Sequence, residues 1–284
     1  MIENVILSAF SDEYSPSIDA QLEMLSKNGV KFSEPRFIGS KNIADLSESE
    51  AKELKEKLDY YGIGVSAIGS PIGKIKLSDS FSEHKDKARR VFENAGILGT
   101  KNIRIFSFYL HDGSTRAECR SEVIEKLDEL LALADTYNVT LCHENEAKIY
   151  GESPAHCFDI LSHFEGRLRQ VYDMGNFTLG GYEPYPDAFR LLCPYIEYFH
   201  IKDALSEGAI VPPGKGKAFI RDILKVYSNI YSAPFFATLE PHLETFSGLN
   251  KLTESTFNNP YKFESPEKAF LSALNDIKDI ISEV

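Results

Sequence analysis

The stretch Val139–Gly151 reads Val-Thr-Leu-Cys-His-Glu-Asn-Glu-Ala-Lys-Ile-Tyr-Gly. Val139, Leu141 and Cys142 give it the apolar character of a short buried strand, which then breaks into His143, Glu144, Asn145 and Glu146. Burying carboxylates that densely costs several kcal/mol each unless cations or donors compensate. Three later strand-like runs finish on the same kind of residue: Asp173, His200 and Glu240. Each is separated from the last by about one strand–helix unit. Three carboxylates and one imidazole suit a single Mn²⁺, Mg²⁺ or Co²⁺ with positions left for substrate, and Zn²⁺ is also compatible. Without a cation between them the carboxylates would repel one another and their pKa values would rise.

Those residues must be brought to one place, and the rest of the chain alternates in a way that does so. Strand-like runs at Val5–Phe10, Val30–Phe37, Ile63–Ile68, Asn102–Phe106, Val139–Glu144, Leu168–Tyr172, Ile196–Ile201 and Phe235–Leu239 alternate with amphipathic stretches. Helix starts are marked by Ser15-Pro16, by the capping boxes Ser47–Glu50 and Thr115–Glu118, and by Ser153-Pro154 and Ser265-Pro266. Pro184–Cys193 and Ala218–Tyr227 read as further helices, the first of them short. Eight such units predict an α/β fold with a parallel sheet closed into a (β/α)₈ TIM barrel, a single domain over 1–284. An open doubly wound sheet is the alternative, but Ser11-Asp12-Glu13 stands where its glycine-rich fingerprint would follow the first strand. In a closed barrel all strand ends point at one mouth. Leu205–Lys217 and Leu243–Glu264, the latter with Phe246, Phe257, Tyr261 and Phe263, are long enough to be walls or lids of that mouth.

Composition narrows the function. The 284 residues carry 31 basic and 43 acidic side chains, a net charge of −12, which repels phosphate backbones and argues against nucleic acid. Cys119, Cys142, Cys157 and Cys193 form no CxxC pair and suggest reduced thiols. The N-terminal Met-Ile-Glu-Asn has no basic n-region and no apolar run approaches a membrane span, so a cytoplasmic protein without membrane association is expected.

Several motifs together carry a resemblance. They are Ser11-Asp12-Glu13, Ser70-Pro71-Ile72-Gly73-Lys74, His143-Glu144-Asn145-Glu146, Asp173-Met174-Gly175-Asn176, Phe199-His200-Ile201-Lys202-Asp203 and Leu239-Glu240-Pro241. The chain resembles the sugar-phosphate isomerase/epimerase superfamily, the xylose isomerase-like TIM barrels that include ketose 3-epimerases, inosose dehydratases and endonuclease IV. The resemblance implies one divalent ion held by Glu144, Asp173, His200 and Glu240, with Glu144 and Glu240 also moving the proton through an enediolate. It implies a sugar or sugar phosphate as partner and leaves room for a homodimer.

Glu146, Asn176 and His242 are candidates for holding substrate hydroxyls, and His111 is a second histidine placed to line the mouth. Asn176 stands where some relatives show a histidine. Lys202-Asp203 reads as a functional pair or a strand-end ion pair, and Arg36, Lys74, Lys215 and Lys217 are the cations available to grip a phosphate. A dehydratase acting on a keto-inositol begins with the same proton abstraction and is the main alternative; a barrel that binds sugar or metal without turnover is another. Repair chemistry of the endonuclease IV kind is disfavoured by the missing Asp-x-His pair after His200 and by the acidic composition.

Overall fold

The structure, a computed structural model, describes residues 2–243 and 260–283. Strands β1 (Val5–Ala9), β2 (Phe32–Ser33), β3 (Gly64–Val65), β4 (Asn102–Ile105), β5 (Thr140–Glu144), β6 (Arg169–Asp173), β7 (Ile196–Ile201) and β8 (Phe235–Leu239) run in chain order. Six form one parallel sheet in the order β1-β8-β7-β6-β5-β4, and β2 pairs with β3, again in parallel. Backbone hydrogen bonds join these parts into a ring. Glu34 N donates to Ala9 O on the β1 side, while Ile68 N donates to Asn102 O and Arg104 N to Ile68 O on the β4 side. The barrel therefore closes as the strand–helix alternation requires. The second and third staves keep regular pairing for only two residues each, shorter than the apolar runs Val30–Phe37 and Ile63–Ile68 suggest.

Helices α1 (Ile18–Lys27), α2 (Glu48–Tyr61), α3 (Phe81–Leu98), α4 (Arg116–Tyr137), α5 (Pro154–His163), α6 (Met174–Leu179), α7 (Phe189–Leu192), α8 (Ile220–Ile230) and α9 (Pro266–Glu283) connect the strands. Their apolar stripes are buried: Leu22 and Leu25 on α1, Leu54 and Leu58 on α2, Phe270, Leu274 and Ile277 on α9. Each such side chain contributes roughly 1.5–3 kcal/mol of transfer free energy. Both capping boxes form, at Ser47–Glu50 and at Thr115–Glu118, and Ser153 caps α5 with Pro154 at its first position.

Three local expectations are corrected. Ser17, not Ser15, caps α1; its hydroxyl accepts from Ala20 N, and Ser15 instead accepts from Ser17 N just outside the helix. Pro184–Cys193 is not one helix: Tyr185 has extended φ/ψ, and regular α-geometry is confined to Phe189–Leu192. The short helix α6 was hidden by Gly175 and β-branched Thr178, poor helix formers. It exists because Asp173 caps it, accepting from Asn176 N at 2.7 Å, and because Met174, Phe177 and Thr178 are buried.

Leu205–Lys217 is a wall tied down at its root. Asp203–Ala204 pairs antiparallel with Ile210–Val211, and the buried Asp203 carboxylate accepts from the amides of Ala204, Gly214, Gly216 and Ala218. Most of Leu243–Glu264, with Phe246 and Phe257, lies outside the described residues. The four cysteines are buried and free. Among the described residues no helix is long and apolar enough to cross a membrane.

Candidate metal centre

Consecutive parallel strands deliver Glu144 at the end of β5, Asp173 at the end of β6, His200 near the end of β7 and Glu240 just past β8. Each contributes one atom to a group whose members all lie within 4.8 Å of one another, and all four residues are buried. His200 Nδ1 lies 3.2 Å from Glu144 Oε1, 3.4 Å from Glu240 Oε2 and 4.0 Å from Asp173 Oδ2. An octahedral cation with bonds of about 2.1 Å separates adjacent ligand atoms by about 3.0 Å and opposite ones by about 4.2 Å. The observed spacings fall on that pattern. His200 Nδ1 is moreover buried without a hydrogen-bond partner. A ring nitrogen aimed among three carboxylates requires positive charge at that point, either a proton or a metal ion. The residues therefore fit a divalent ion, and the oxygen-rich set suits a hard one.

A surrounding shell fixes each ligand, and most of it lies on other strands. Glu34, fully buried after β2, faces His200 Nε2 at 3.3 Å from both carboxylate oxygens and accepts from the Tyr198 hydroxyl at 3.0 Å. Such a carboxylate behind a histidine sets its tautomer and ring orientation. Arg36 donates to Glu240 Oε1 at 2.7 Å and also holds Asp12 and Glu13. Its guanidinium stacks on Phe10, 4.3 Å from the ring centre. Arg104, between the rings of Phe10 and Phe106, reaches Glu144 Oε2 at 3.2 Å. Lys202 donates to Asp173 Oδ2 at 2.9 Å, Glu240 Oε2 at 3.0 Å and Asn176 Oδ1 at 3.1 Å. All three ammonium protons are thereby used.

The expected Lys202–Asp203 pair does not form. Successive residues of an extended segment face opposite ways, so Lys202 turns to the mouth while Asp203 organises the hairpin. Asp173 does two jobs, its Oδ1 capping α6 and its Oδ2 joining the cluster.

Six buried carboxylates (Asp12, Glu13, Glu34, Glu144, Asp173 and Glu240) thus share three buried cations, Arg36, Arg104 and Lys202. That shortfall is visible in the proton affinities. Burial raises Asp173, with Glu144 and Glu240 adding to it against Lys202, to about 7. Burial likewise pushes Glu13 up to about 8 despite Arg36. Burial would also raise Glu144, but His200 and Arg104 outweigh it and hold the carboxyl at about 2. Burial disfavours charge on His200, yet Glu144 and Glu34 keep it well above its ordinary value. A divalent ion removes most of this imbalance.

The remaining candidates are placed as follows. Asn176 Nδ2 donates to Glu144 Oε1 at 3.2 Å and to Asn145 O at 3.0 Å, so its amide spans the ligand residues. Glu146, partly exposed, pairs with Lys74 at 3.0 Å on the rim. His242 is buried beside Glu13 and Glu240, its Nε2 3.5 Å from a carboxylate oxygen of each, in a backbone conformation with φ of 47°. Strain of that kind is retained where the surroundings over-determine a position. His111 bonds Glu122 on α4 at 2.7 Å. Lys215 and Lys217 are exposed on the loop that Asp203 organises. Glu34, Arg104 and the full reach of Lys202 were missed from sequence. The available signal was a charged residue inside or directly at the end of an apolar strand, as in Ile103-Arg104-Ile105.

Residues 22–242 match the family model described as xylose isomerase-like TIM barrel. The chain belongs to that family. No curated protein matches its sequence. Solved structures that superpose on it include the IolI protein with a bound zinc atom (TM-score 0.74, 16% identity, 99% of this chain and 98% of that one). Another is the probable 3-DHS dehydratase AsbF of petrobactin synthesis from Bacillus anthracis (0.72, 15%, 94% and 96%). A third is D-psicose 3-epimerase in the presence of D-fructose (0.71, 15%, 96% and 97%). At these identities the likeness establishes the xylose isomerase-like fold, and the choice of reaction within the family rests on the site.

Proposed function

We propose that this xylose isomerase-like barrel is a divalent-metal-dependent isomerase or epimerase of a sugar or sugar derivative. The observation that carries the reading is the convergence of Glu144, Asp173, His200 and Glu240 at ligand spacing around a bare imidazole nitrogen. Those four residues would hold the ion. A divalent ion held there would supply Lewis acidity toward a substrate carbonyl and so make the neighbouring C–H easier to deprotonate.

The chain's own residues do the rest. Asp173 and His200 are fixed from behind, by the α6 cap and Lys202 in one case and by Glu34 in the other, which suits ligands that never leave. Glu144 and Glu240 stand nearest His200 Nδ1 and are the carboxylates assigned to take the proton and return it. Arg104 and Arg36 hold their outer oxygens. Asn176 keeps Glu144 in register with Asp173. The buried rings of Phe10 and Phe106 pack against the guanidinium groups, Arg36 on Phe10 and Arg104 on both.

The test is metal analysis of purified protein, then a panel of ketoses and inososes watched for solvent deuterium uptake. One divalent ion per chain and exchange at carbon without loss of water are expected. Glu240→Gln should weaken metal binding and abolish turnover together; full activity in a metal-loaded Glu240→Gln protein would sink the assignment. Exchange accompanied by elimination of water would make the protein a dehydratase, the activity carried in the name of the Bacillus anthracis neighbour.

A further inference from the structure

The cations around the mouth divide into two kinds. Arg36, Arg104 and Lys202 are buried, and each already holds one or more buried carboxylates of the cluster. An incoming anion could recruit one of them only by leaving a buried carboxylate unpaired, which costs several kcal/mol. Lys74 is different. It follows Gly73 in the loop after β3, lies on the rim with its side chain 11% exposed, and sits 4.7 Å from the centre of the Phe106 ring. Glu146, 21% exposed, closes on its ammonium at 3.0 Å. Glu146 is also near enough to Lys202 to act on its charge, which puts the Lys74–Glu146 pair beside the ligand residues and not on a remote surface.

A phosphate ester needs a cation that can be spared, and electrostatics of like sign next to it are costly. Among the described residues Lys74 is a cation beside the cluster that holds none of the ligand residues in an ion pair, and Glu146 neutralises it. The amides that might otherwise cradle an anion in the Pro212–Lys217 loop, those of Gly214 and Gly216, are already bound to Asp203. A neutral polyol meets a different surface. The pair offers it an ammonium N–H and a carboxylate oxygen side by side, matched to a hydroxyl that donates and accepts.

We propose that the Lys74–Glu146 pair is a charge filter, so that the site takes an uncharged polyhydroxy ketone and rejects its phosphate ester. The inference rests on the isomerase/epimerase reading and deepens it by naming the substrate class. Glu146 and Lys74 are the residues that set this specificity.

The experiment uses the metal-loaded full chain and pairs of probes that differ only by phosphate: D-fructose and D-fructose 6-phosphate, D-ribulose and D-ribulose 5-phosphate, D-xylulose and D-xylulose 5-phosphate. Carbon-bound deuterium uptake gives kcat/KM for each. For any pair that reacts, the free ketose should exceed the ester by roughly tenfold or more. Glu146→Gln should shrink that ratio by roughly fivefold or more, mainly through a lower KM for the ester, because Lys74 is then unpaired. A wild-type preference for the ester overturns the proposal, as does a ratio that stays put in both Glu146→Gln and Glu146→Ala. If neither member of any pair exchanges, the isomerase reading is what has failed. The filter is then read separately, from calorimetric titration of the Mg²⁺-loaded proteins with inorganic phosphate. Tighter binding to Glu146→Gln than to wild type upholds it, and equal affinity overturns it.

Discussion

Replacing Lys202 by Met tests the charge balance of the centre directly. The side chains are similar in length, but Met offers nothing to Asp173 Oδ2, Glu240 Oε2 or Asn176 Oδ1, which Lys202 now holds at 2.9, 3.0 and 3.1 Å. In metal-free protein the variant leaves six buried carboxylates with two buried cations, Arg36 and Arg104. Removing one partner of a buried, hydrogen-bonded charge network costs about 3–5 kcal/mol. The assay is urea unfolding of chelator-stripped wild type and variant, each repeated with saturating MnCl₂. Stripped Lys202→Met should unfold about 3–5 kcal/mol more easily with an unchanged m-value. Mn²⁺ should return more to the variant than to wild type, since the ion replaces charge the variant lacks. At a thousandfold excess over Kd, binding to the folded state alone is worth about 4 kcal/mol. If stripped Lys202→Met lies within about 1 kcal/mol of wild type, the network is not under the strain inferred here.

Three further outcomes are expected. Glu34→Gln keeps the size of the side chain but removes the charge facing His200 Nε2, so Mn²⁺ affinity measured by calorimetry should fall about 10–100-fold; an unchanged affinity would show that His200 is oriented by something else. Gly175→Ala places a methyl 2.6 Å from Lys202 Cβ and 2.7 Å from its carbonyl oxygen, and should loosen α6, displace Lys202 and lower both melting temperature and metal affinity; a variant that matches wild type in both contradicts the packing described. His143 is fully buried and burial lowers it to about 4, so the folded state resists the proton that the unfolded chain accepts near its ordinary value of about 6.5. Its share of stability is therefore complete above that value and lost as pH falls from about 6.5 to about 4, a difference on the order of 3 kcal/mol. The urea stability of wild type should fall across that window more steeply than that of His143→Gln, and parallel curves would refute the assignment.

Much of the fold was legible because its signals are local. Alternating apolar strands and amphipathic helices are period-2 and period-3.6 patterns, and Ser47–Glu50 and Thr115–Glu118 cap their helices within four residues of chain. The four residues of the cluster were equally legible, since a closed parallel barrel turns "last residue of a strand" into "side chain at the mouth". Where local signals were weak or ambiguous the reading slipped: at α6, where a glycine and a β-branched residue disguise a helix capped by Asp173, and at Ser15, where two serines compete to cap one helix.

What the chain order alone could not determine is which partner each charge takes. Arg36 reaches Glu240 across 204 positions and His200 meets Glu34 across 166, while adjacent Lys202 and Asp203 turn away from each other. The linear sequence determined which side chains arrive at the mouth, because that depends on strand ends and periodicity. Only the closed barrel decided how carboxylate, guanidinium, ammonium and imidazole are shared among them. Those groups have long, rotatable side chains whose pairing is settled by distance and burial in three dimensions, and a buried charge takes whatever opposite charge the fold brings within reach.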